Sequence, residues 1–224
     1  MFGCSLHTVS NDKKRPMATP LEKARKDPNS IKAKILRAAA KVFGEYGFYG
    51  TTTRMIAKEV GIDISTLHYH WGDKSDLYEG VLLDMRDAMG AKLIETENKV
   101  KGKPLPERID IAIEELMDFL FERPEISNLT LFRYFTKTRE DTLVEVKIPE
   151  YISDIAYSMG LAESRDDVSH DAQLKVIAMM NAFHNFVSGE GFFRELLDMD
   201  PEAYRLKAKE ILKFYSIAPF NTGA

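Results

Sequence analysis

The amino-acid sequence predicts an all-α protein, and three observations support this fold class. Apolar residues recur at intervals of three and four along most of the 224-residue chain, and no segment shows the alternation typical of strands. Helix start and stop signals separate these apolar stretches. Counting the capping residues together with the helical spacing of apolar residues gives roughly nine helices. The content of 44% hydrophobic and 29% charged residues is that of a globular protein.

The N-terminal part of the chain predicts an arm followed by a small helical bundle. Residues 1–29 are polar and lack periodicity, so we expect a flexible basic arm. Three helices should follow, and Gly47 and Gly61 should end the first two. A longer fourth helix opens at Asp73 or Lys74. The predicted N-caps of the three helices are Asn29 or Ser30, Thr52 or Thr53, and Asp63.

The C-terminal part stays helical after Gly102 and Pro104 and predicts a second, larger bundle. Its five helical stretches are PERIDIAIEELMDFLFERP, PEISNLTLFRYFTKT, IPEYISDIAYSMG, HDAQLKVIAMMNAFHNFVSG and PEAYRLKAKEILKFYS. No apolar run approaches the ~18–20 residues that cross a bilayer. The single cysteine and the absence of a secretory pattern favour the cytoplasm. The predicted division is therefore an arm (1–29), a small bundle (30–77) and a large bundle (78–224).

Charge is distributed unevenly along the chain. Residues 13–58 contain twelve Lys and Arg residues and three Asp and Glu residues, a local net charge of +9, although the whole chain carries −4. A basic segment on an acidic body indicates that one end contacts a polyanion. A solvated helix face without a partner is the alternative.

Residues 53–72 fit the steric requirements of a helix-turn-helix. The small Ala57 permits a close helix crossing, and Gly61 supplies the residue with positive φ that the turn needs. The apolar residues of the mini-core are Ile56, Val60, Ile62 and Leu67. An ordinary helical hairpin would show the same local pattern.

The second helix of this motif carries the side chains suited to reading a duplex. The predicted DNA-binding residues comprise base-contacting candidates on this helix, phosphate-contacting candidates beside them, and hydroxyls before the preceding helix. In that order they are Ile64, Ser65, Thr66 and His68, then Tyr69, His70 and Lys74, then Thr52 and Thr53.

Residues 35–82 (ILRAAAKVFGEYGFYGTTTRMIAKEVGIDISTLHYHWGDKSDLYEGVL) resemble the TetR family of transcriptional regulators. His68 stands where the family usually has Tyr, and Trp71 where it usually has Phe. The matching positions are Leu36, Ala39, Ala40, Phe43, Gly47, Thr51, Thr52, Ile56, Ala57, Gly61, Ile62, Leu67, Tyr69, His70, Trp71, Lys74 and Leu77.

The resemblance implies a homodimer that binds a palindromic double-stranded DNA operator, most simply as a repressor. It also implies that the C-terminal bundle binds a small-molecule effector that changes the spacing of the two DNA-binding domains. The alternative is a small-molecule-binding helical protein whose N-terminal bundle makes protein contacts.

Neither a metal centre nor catalysis is expected. His68 and His70 are two residues apart, which separates them by about 200° around a helix. The other histidines lack the spacing of metal ligands, and no nucleophile elbow, phosphate loop or HExxH motif occurs. We therefore predict no enzyme activity, no metal and no cofactor.

The C-terminal bundle offers weaker candidates for effector binding. The candidates are Phe119, Arg133, Asn181 and His184, although packing and internal ion pairs explain these residues equally well. The many aromatic and methionine residues favour an apolar effector. Helices 171–188 and 202–216 resemble in position the dimer-forming pair of the TetR family, which implies a four-helix dimer interface. Five apolar residues at core-like spacing support it: Val176, Met179, Met180, Phe183 and Val187.

Overall fold

The computed structural model describes residues 19–136 and 148–217, and within these ranges every regular element is an α-helix. The all-α prediction is confirmed. In this part of the chain no helix is both long and apolar enough to cross a membrane. The helices are α1 (Pro20–Lys26), α2 (Ile31–Gly50), α3 (Thr53–Val60), α4 (Ile64–Trp71), α5 (Lys74–Val100), α6 (Leu105–Glu122), α7 (Pro124–Thr136), α8 (Ile148–Ser158), α9 (His170–Ser188), α10 (Glu190–Leu197) and α11 (Pro201–Ile217).

Helix α1 was not expected, and the prediction of a flexible arm is wrong for its residues. Thr19 and Glu22 form a reciprocal capping box, which satisfies backbone donors at the start of the helix. The Arg25 guanidinium then binds Asp84 and Asp87 of α5, each at 3.0 Å. The capping box and the long-range ion pairs together order this short segment. The spacing of apolar residues in the sequence cannot reveal such ion pairs. Residues 1–18 of the predicted arm lie outside the described residues.

Helix α10 is the second element that sequence reasoning missed. It contains no buried residue and ends at Asp198, whose backbone is left-handed at φ 50°. Phe192, Leu196 and Leu197 are exposed, and Phe193 is the one apolar side chain of α10 that packs against the core. A single inward residue is too little for the periodicity criterion to detect.

The three-helix bundle of α2, α3 and α4 follows its predicted caps. Ser30, Thr52 and Asp63 each accept a hydrogen bond from a backbone N–H in the first turn of their helix. Gly61 adopts φ 78°, which ends α3 and turns the chain into α4. Gly47 adopts φ 66° and kinks α2, which continues to residue 50 instead of ending there.

The two predicted bundles share a continuous core. Helix α7 packs directly on α2, and a Cβ built on Gly44 would lie 2.9 Å from Cβ of Glu125. Phe132 packs against Gly47 in the same way, at 3.5 Å. The buried cluster runs without a break from Leu21 in α1 to Leu212 in α11. The small N-terminal bundle is therefore joined to the rest of the chain by side-chain packing as well as by α5.

The apolar residues of α9 that suggested a dimer interface pack inside the core of a single chain. Val176, Phe183 and Val187 are buried within one copy, and Met179 and Met180 pack against its core clusters. The prediction is wrong about these side chains because helical spacing identifies an apolar face without identifying what covers it.

Gly44→Ala is expected to destabilise the protein by about 1–3 kcal/mol, because the added methyl group overpacks the contact with α7. Gly191→Ala is the matched control: this helical glycine has open space around its Cβ position, so alanine should raise stability by up to about 1 kcal/mol. Urea unfolding of both variants measures the two effects. Equal stability changes would contradict the close α2–α7 contact.

Candidate DNA-binding surface and ligand cavity

Helix α4 presents one face to the core and the other to solvent. Leu67 is fully buried, and Trp71 is 4% exposed and donates its indole N–H to the Lys32 carbonyl at 3.0 Å. On the opposite side Ser65 and His68 are exposed, and the Tyr69 ring is 84% exposed. A large aromatic ring held in water on a rigid helix is available for contact with another molecule.

Hydrogen bonds fix the two histidines of α4 in different tautomers. His68 Nδ1 lies 2.7 Å from the Gly72 carbonyl oxygen, which can only accept, so Nδ1 carries the proton and Nε2 of the neutral ring is an acceptor. His70 Nδ1 lies 2.8 Å from the Lys32 ammonium, which can only donate, so the proton of His70 is on Nε2. Burial and the charge of Lys32 lower the pKa of His70, which keeps this ring neutral.

The hydroxyls at the start of α4 are also oriented. Ser65 Oγ donates to one carboxylate oxygen of Asp63 at 2.5 Å, and Thr66 Oγ1 donates to the other at 2.8 Å. These bonds lower the pKa of Asp63 to about 2, so the cap is an acceptor at neutral pH. Because their protons are used, Ser65 and Thr66 present acceptor lone pairs to a partner.

Lys74 has a structural role that the sequence did not reveal. Its ammonium donates to the carbonyls of Phe48 at 3.0 Å and Thr51 at 3.1 Å, and lies 4.3 Å from the centre of the Phe48 ring. Two of its three donors therefore hold the end of α2 against the start of α5. A phosphate contact by Lys74 stays a prediction that involves the third donor.

The other predicted DNA-binding residues lie at the starts of α3 and α4. Thr52 is exposed and caps α3 through the backbone N–H of Met55, and Thr53 follows it in the first turn. Ile64 is half-buried against the core. Arg54 and Lys58 are exposed on α3 and were not predicted. A helical projection from the buried Ile56 and Ala57 would have placed both outward.

A cavity of about 370 Å³ lies between α5, α6, α8 and α9. Its wall is mostly aliphatic and aromatic, with Leu93, Ile109, Leu116 and Phe183 among the lining residues. Clefts of this size that are lined by apolar side chains with few polar groups are typical of small-molecule sites.

The polar groups on the wall form a network between α5, α6 and α8. Nη2 of Arg108 donates to Ser158 Oγ at 2.7 Å, and the Ser158 hydroxyl donates to Glu97 Oε2 at 2.5 Å. Glu97 Oε1 lies 3.6 Å from the same guanidinium nitrogen. Two further polar atoms, Nε of Arg108 and Oγ1 of Thr96, are buried and have no hydrogen-bond partner.

Comparison with known proteins explains the recognition surface. Residues 35–81 match the family model described as bacterial regulatory proteins, tetR family. The probable HTH-type transcriptional regulator YttP of Bacillus subtilis is 23% identical over 87% of this chain and 96% of its own length. Residues 35–81 therefore form a TetR-family helix-turn-helix segment. The matched segment contains all of α3 and α4, where the exposed recognition surface lies.

Further relatives and solved structures are also similar to this chain. The Staphylococcus aureus biofilm operon icaADBC HTH-type negative transcriptional regulator IcaR is 33% identical over 42% of this chain and 48% of its own length. A TetR-like regulator from Rhodococcus sp. RHA1 shares the fold with TM-score 0.60 and 18% identity, covering 84% of this chain and 95% of that one. FadR from Bacillus subtilis, solved with stearoyl-CoA, has TM-score 0.56 and 16% identity, covering 80% and 96%. All of these relatives are described as transcriptional regulators.

Among the four predicted effector-binding residues, only His184 lines the cavity. Phe119 lies below the Arg123 guanidinium instead, 5.9 Å from its carbon. Arg133 belongs to α7, which contributes no wall residue, and Asn181 lies on α9 outside the lining set. Sequence spacing placed these residues on helices but could not show which faces enclose the empty space.

His184 is buried at 3% exposure, and its Nδ1 lies 3.1 Å from Ser127 Oγ. Burial lowers the pKa of His184 to about 4. The unfolded chain therefore binds a proton below pH about 6.5 that the folded chain does not bind until pH about 4. The stabilisation of the folded chain by neutral His184 is fully present above pH about 6.5 and is lost as the pH falls towards 4.

His184→Gln is expected to reduce the pH dependence of unfolding between pH about 4 and 6.5 by up to about 1.4 kcal/mol per pH unit. Urea unfolding at several pH values measures this slope. His170→Gln, at an exposed histidine at the start of the same helix, is the matched control and should leave the slope as it is. A wild-type slope in His184→Gln would show that His184 titrates as a solvated group.

Proposed function

We propose that the protein is a repressor that binds a palindromic operator as a homodimer and is released when a small apolar effector enters the cavity. The observation that carries this proposal is the course of α5. This helix of 27 residues begins at Lys74 beside the DNA-binding bundle, and its final turns, from Met89 to Val100, line the cavity. At 1.5 Å per residue it extends over roughly 40 Å.

The recognition surface supports contact with the major groove. His68 Nε2 and the oxygens of Ser65 and Thr66 are acceptors, which matches them to the exocyclic amino groups of adenine and cytosine. Tyr69 and Nε2 of His70 supply donors suited to phosphate oxygens. Thr52, Thr53 and Lys74 border this surface, and Ile64 offers it an apolar contact.

A dimer is supported by exposed apolar side chains on the last three helices. Their exposed fractions range from 38% to 67%, and unpartnered apolar surface of this kind favours association. Pairing of two copies would place two recognition helices on successive turns of DNA, about 34–36 Å apart. The side chains are Leu174, Phe192, Leu196, Leu197, Leu206, Ile211, Phe214 and Tyr215.

Two relatives support the remaining parts of the proposal. FadR from Bacillus subtilis was solved with stearoyl-CoA, which agrees with an effector whose apolar chain enters the apolar cavity of this protein. IcaR is a negative regulator, which agrees with repression. Effector binding releases DNA only if the ligand favours a dimer whose recognition helices are wrongly spaced.

Selection of bound duplexes from a random pool is expected to return a palindrome with half-site centres about one helical turn apart or a multiple of it.

His68→Phe keeps a ring but removes the acceptor, so it should relax the preference at one base position of each half-site by about 1–3 kcal/mol.

Tyr69→Phe is the comparison variant for this selection. It removes a phosphate donor only, so it should weaken binding to all sequences alike and return the wild-type palindrome. A selected pool without two-fold symmetry would contradict the homodimer. Identical base preferences in His68→Phe and the wild type would contradict the role of His68.

A further inference from the structure

The exposed face of α4 is rich in hydrogen-bond acceptors. Ser65 and His68 are three residues apart, so they lie on the same face of this helix, and both are exposed. The Ser65 hydroxyl donates its proton to Asp63 at 2.5 Å, and Nδ1 of His68 donates its proton to the Gly72 carbonyl at 2.7 Å. The Ser65 oxygen and Nε2 of His68 therefore accept hydrogen bonds from a partner. Asp63 is also exposed and adds carboxylate oxygens beside them.

The helix α4 contains none of the cationic side chains that most often read guanine. Its sequence, ISTLHYHW, includes neither Lys nor Arg. Guanine presents only the acceptors N7 and O6 to the major groove, whereas adenine and cytosine present a donor there, the exocyclic amino group at N6 or N4. The acceptors of α4 therefore fit these amino groups and are repelled by N7 and O6 of guanine.

An exocyclic amino group has two hydrogens with different roles. One hydrogen pairs with the opposite base, and the other points into the major groove. A methyl group on the amino nitrogen leaves the base pair intact only when it replaces the hydrogen in the groove. Paired N6-methyladenine and N4-methylcytosine therefore present a methyl group where the unmodified bases present a donor. An acceptor that faces this position loses its hydrogen bond and meets the methyl carbon.

We propose that the protein binds operators whose adenine and cytosine amino groups are unmodified, and that methylation of an amino group facing Ser65 or His68 prevents tight binding. Conversion of either side chain into a donor would break its bond to Asp63 or Gly72, so the face keeps its acceptor character on DNA. This inference rests on the proposed function, because it assigns regulation to the same DNA-binding surface.

Three copies of one set of duplexes test the proposal on the full chain. The pool enriched by selection from random duplexes is copied with ordinary nucleotides, with N6-methyladenine and N4-methylcytosine, or with 7-deazaadenine and 7-deazaguanine. The methylated copy blocks the amino groups, and the deaza copy removes N7 and keeps the amino groups. Fluorescence anisotropy at about pH 8, where a free imidazole is neutral, should show about 10-fold or more weaker binding of the methylated copy. The deaza copy should bind within about 2-fold of the ordinary copy.

Single methyl groups assign the effect to individual side chains. In synthetic duplexes of the most enriched sequence, each adenine or cytosine of a half-site is methylated in turn. His68→Phe removes one acceptor, so the position that His68 reads should lose its sensitivity to methylation, and Ser65→Ala should do the same at another position. Tyr69→Phe is the matched control, because Tyr69 is exposed on the same helix, and this variant should keep every sensitivity of the wild type.

The outcomes separate this inference from the function beneath it. Equal binding of the methylated and ordinary copies, or weaker binding of the deaza copy alone, would overturn the reading of amino groups. A methylation effect that survives at every position in both His68→Phe and Ser65→Ala would arise from the duplex and would overturn the role of the two acceptors. A random pool from which no sequence is enriched would instead overturn the proposed DNA-binding function.

Discussion

The contact of the Lys74 ammonium with the carbonyls of Phe48 and Thr51 fixes the start of α5 to the DNA-binding bundle. The kink at Gly47 turns the last residues of α2 towards this ammonium. The charged ammonium binds two carbonyls and lies against an aromatic ring, so it restricts movement of α5 relative to the end of α2. Motion at the far end of α5 must therefore carry the recognition helix with it or break this contact.

Two other contacts join the same helix to its surroundings. Asp84, in the middle of α5, binds Arg25 of α1 at 3.0 Å and lies 3.7 Å from Arg123 at the end of α6. Helix α7 also packs on α2 through the glycine at position 44. The DNA-binding bundle is thus connected to the cavity-bearing helices by α5 and by the α2–α7 contact. A cavity that closes around a ligand would act on both connections.

Local chemistry explains which parts of the structure the sequence could predict. Caps at Ser30, Thr52 and Asp63 and the positive φ of Gly61 depend on neighbouring residues, so their positions were read correctly. Helix α1 depends partly on ion pairs with residues about 60 positions away, and α10 packs only Phe193 against the core. Neither property is visible in a short window of sequence.

The candidate sites show the same division. The residues of α4 were identified because a helix-turn-helix is a local motif, yet the tautomers of His68 and His70 depend on Gly72 and Lys32 and required the structure. The cavity is formed by four helices distant in sequence. Arg108 and Thr96 were not predicted, because an unmade hydrogen bond is a property of the packed interior.

The distance between the two recognition domains of a dimer tests the central claim most directly. A spin label on Lys58→Cys in a Cys4→Ser background reports this distance by pulsed electron paramagnetic resonance. One narrow distance is expected on operator DNA, and a shifted distribution when an apolar ligand that fills the cavity is added. Release of DNA by the ligand with an unchanged distance, or a single label per particle, would contradict it.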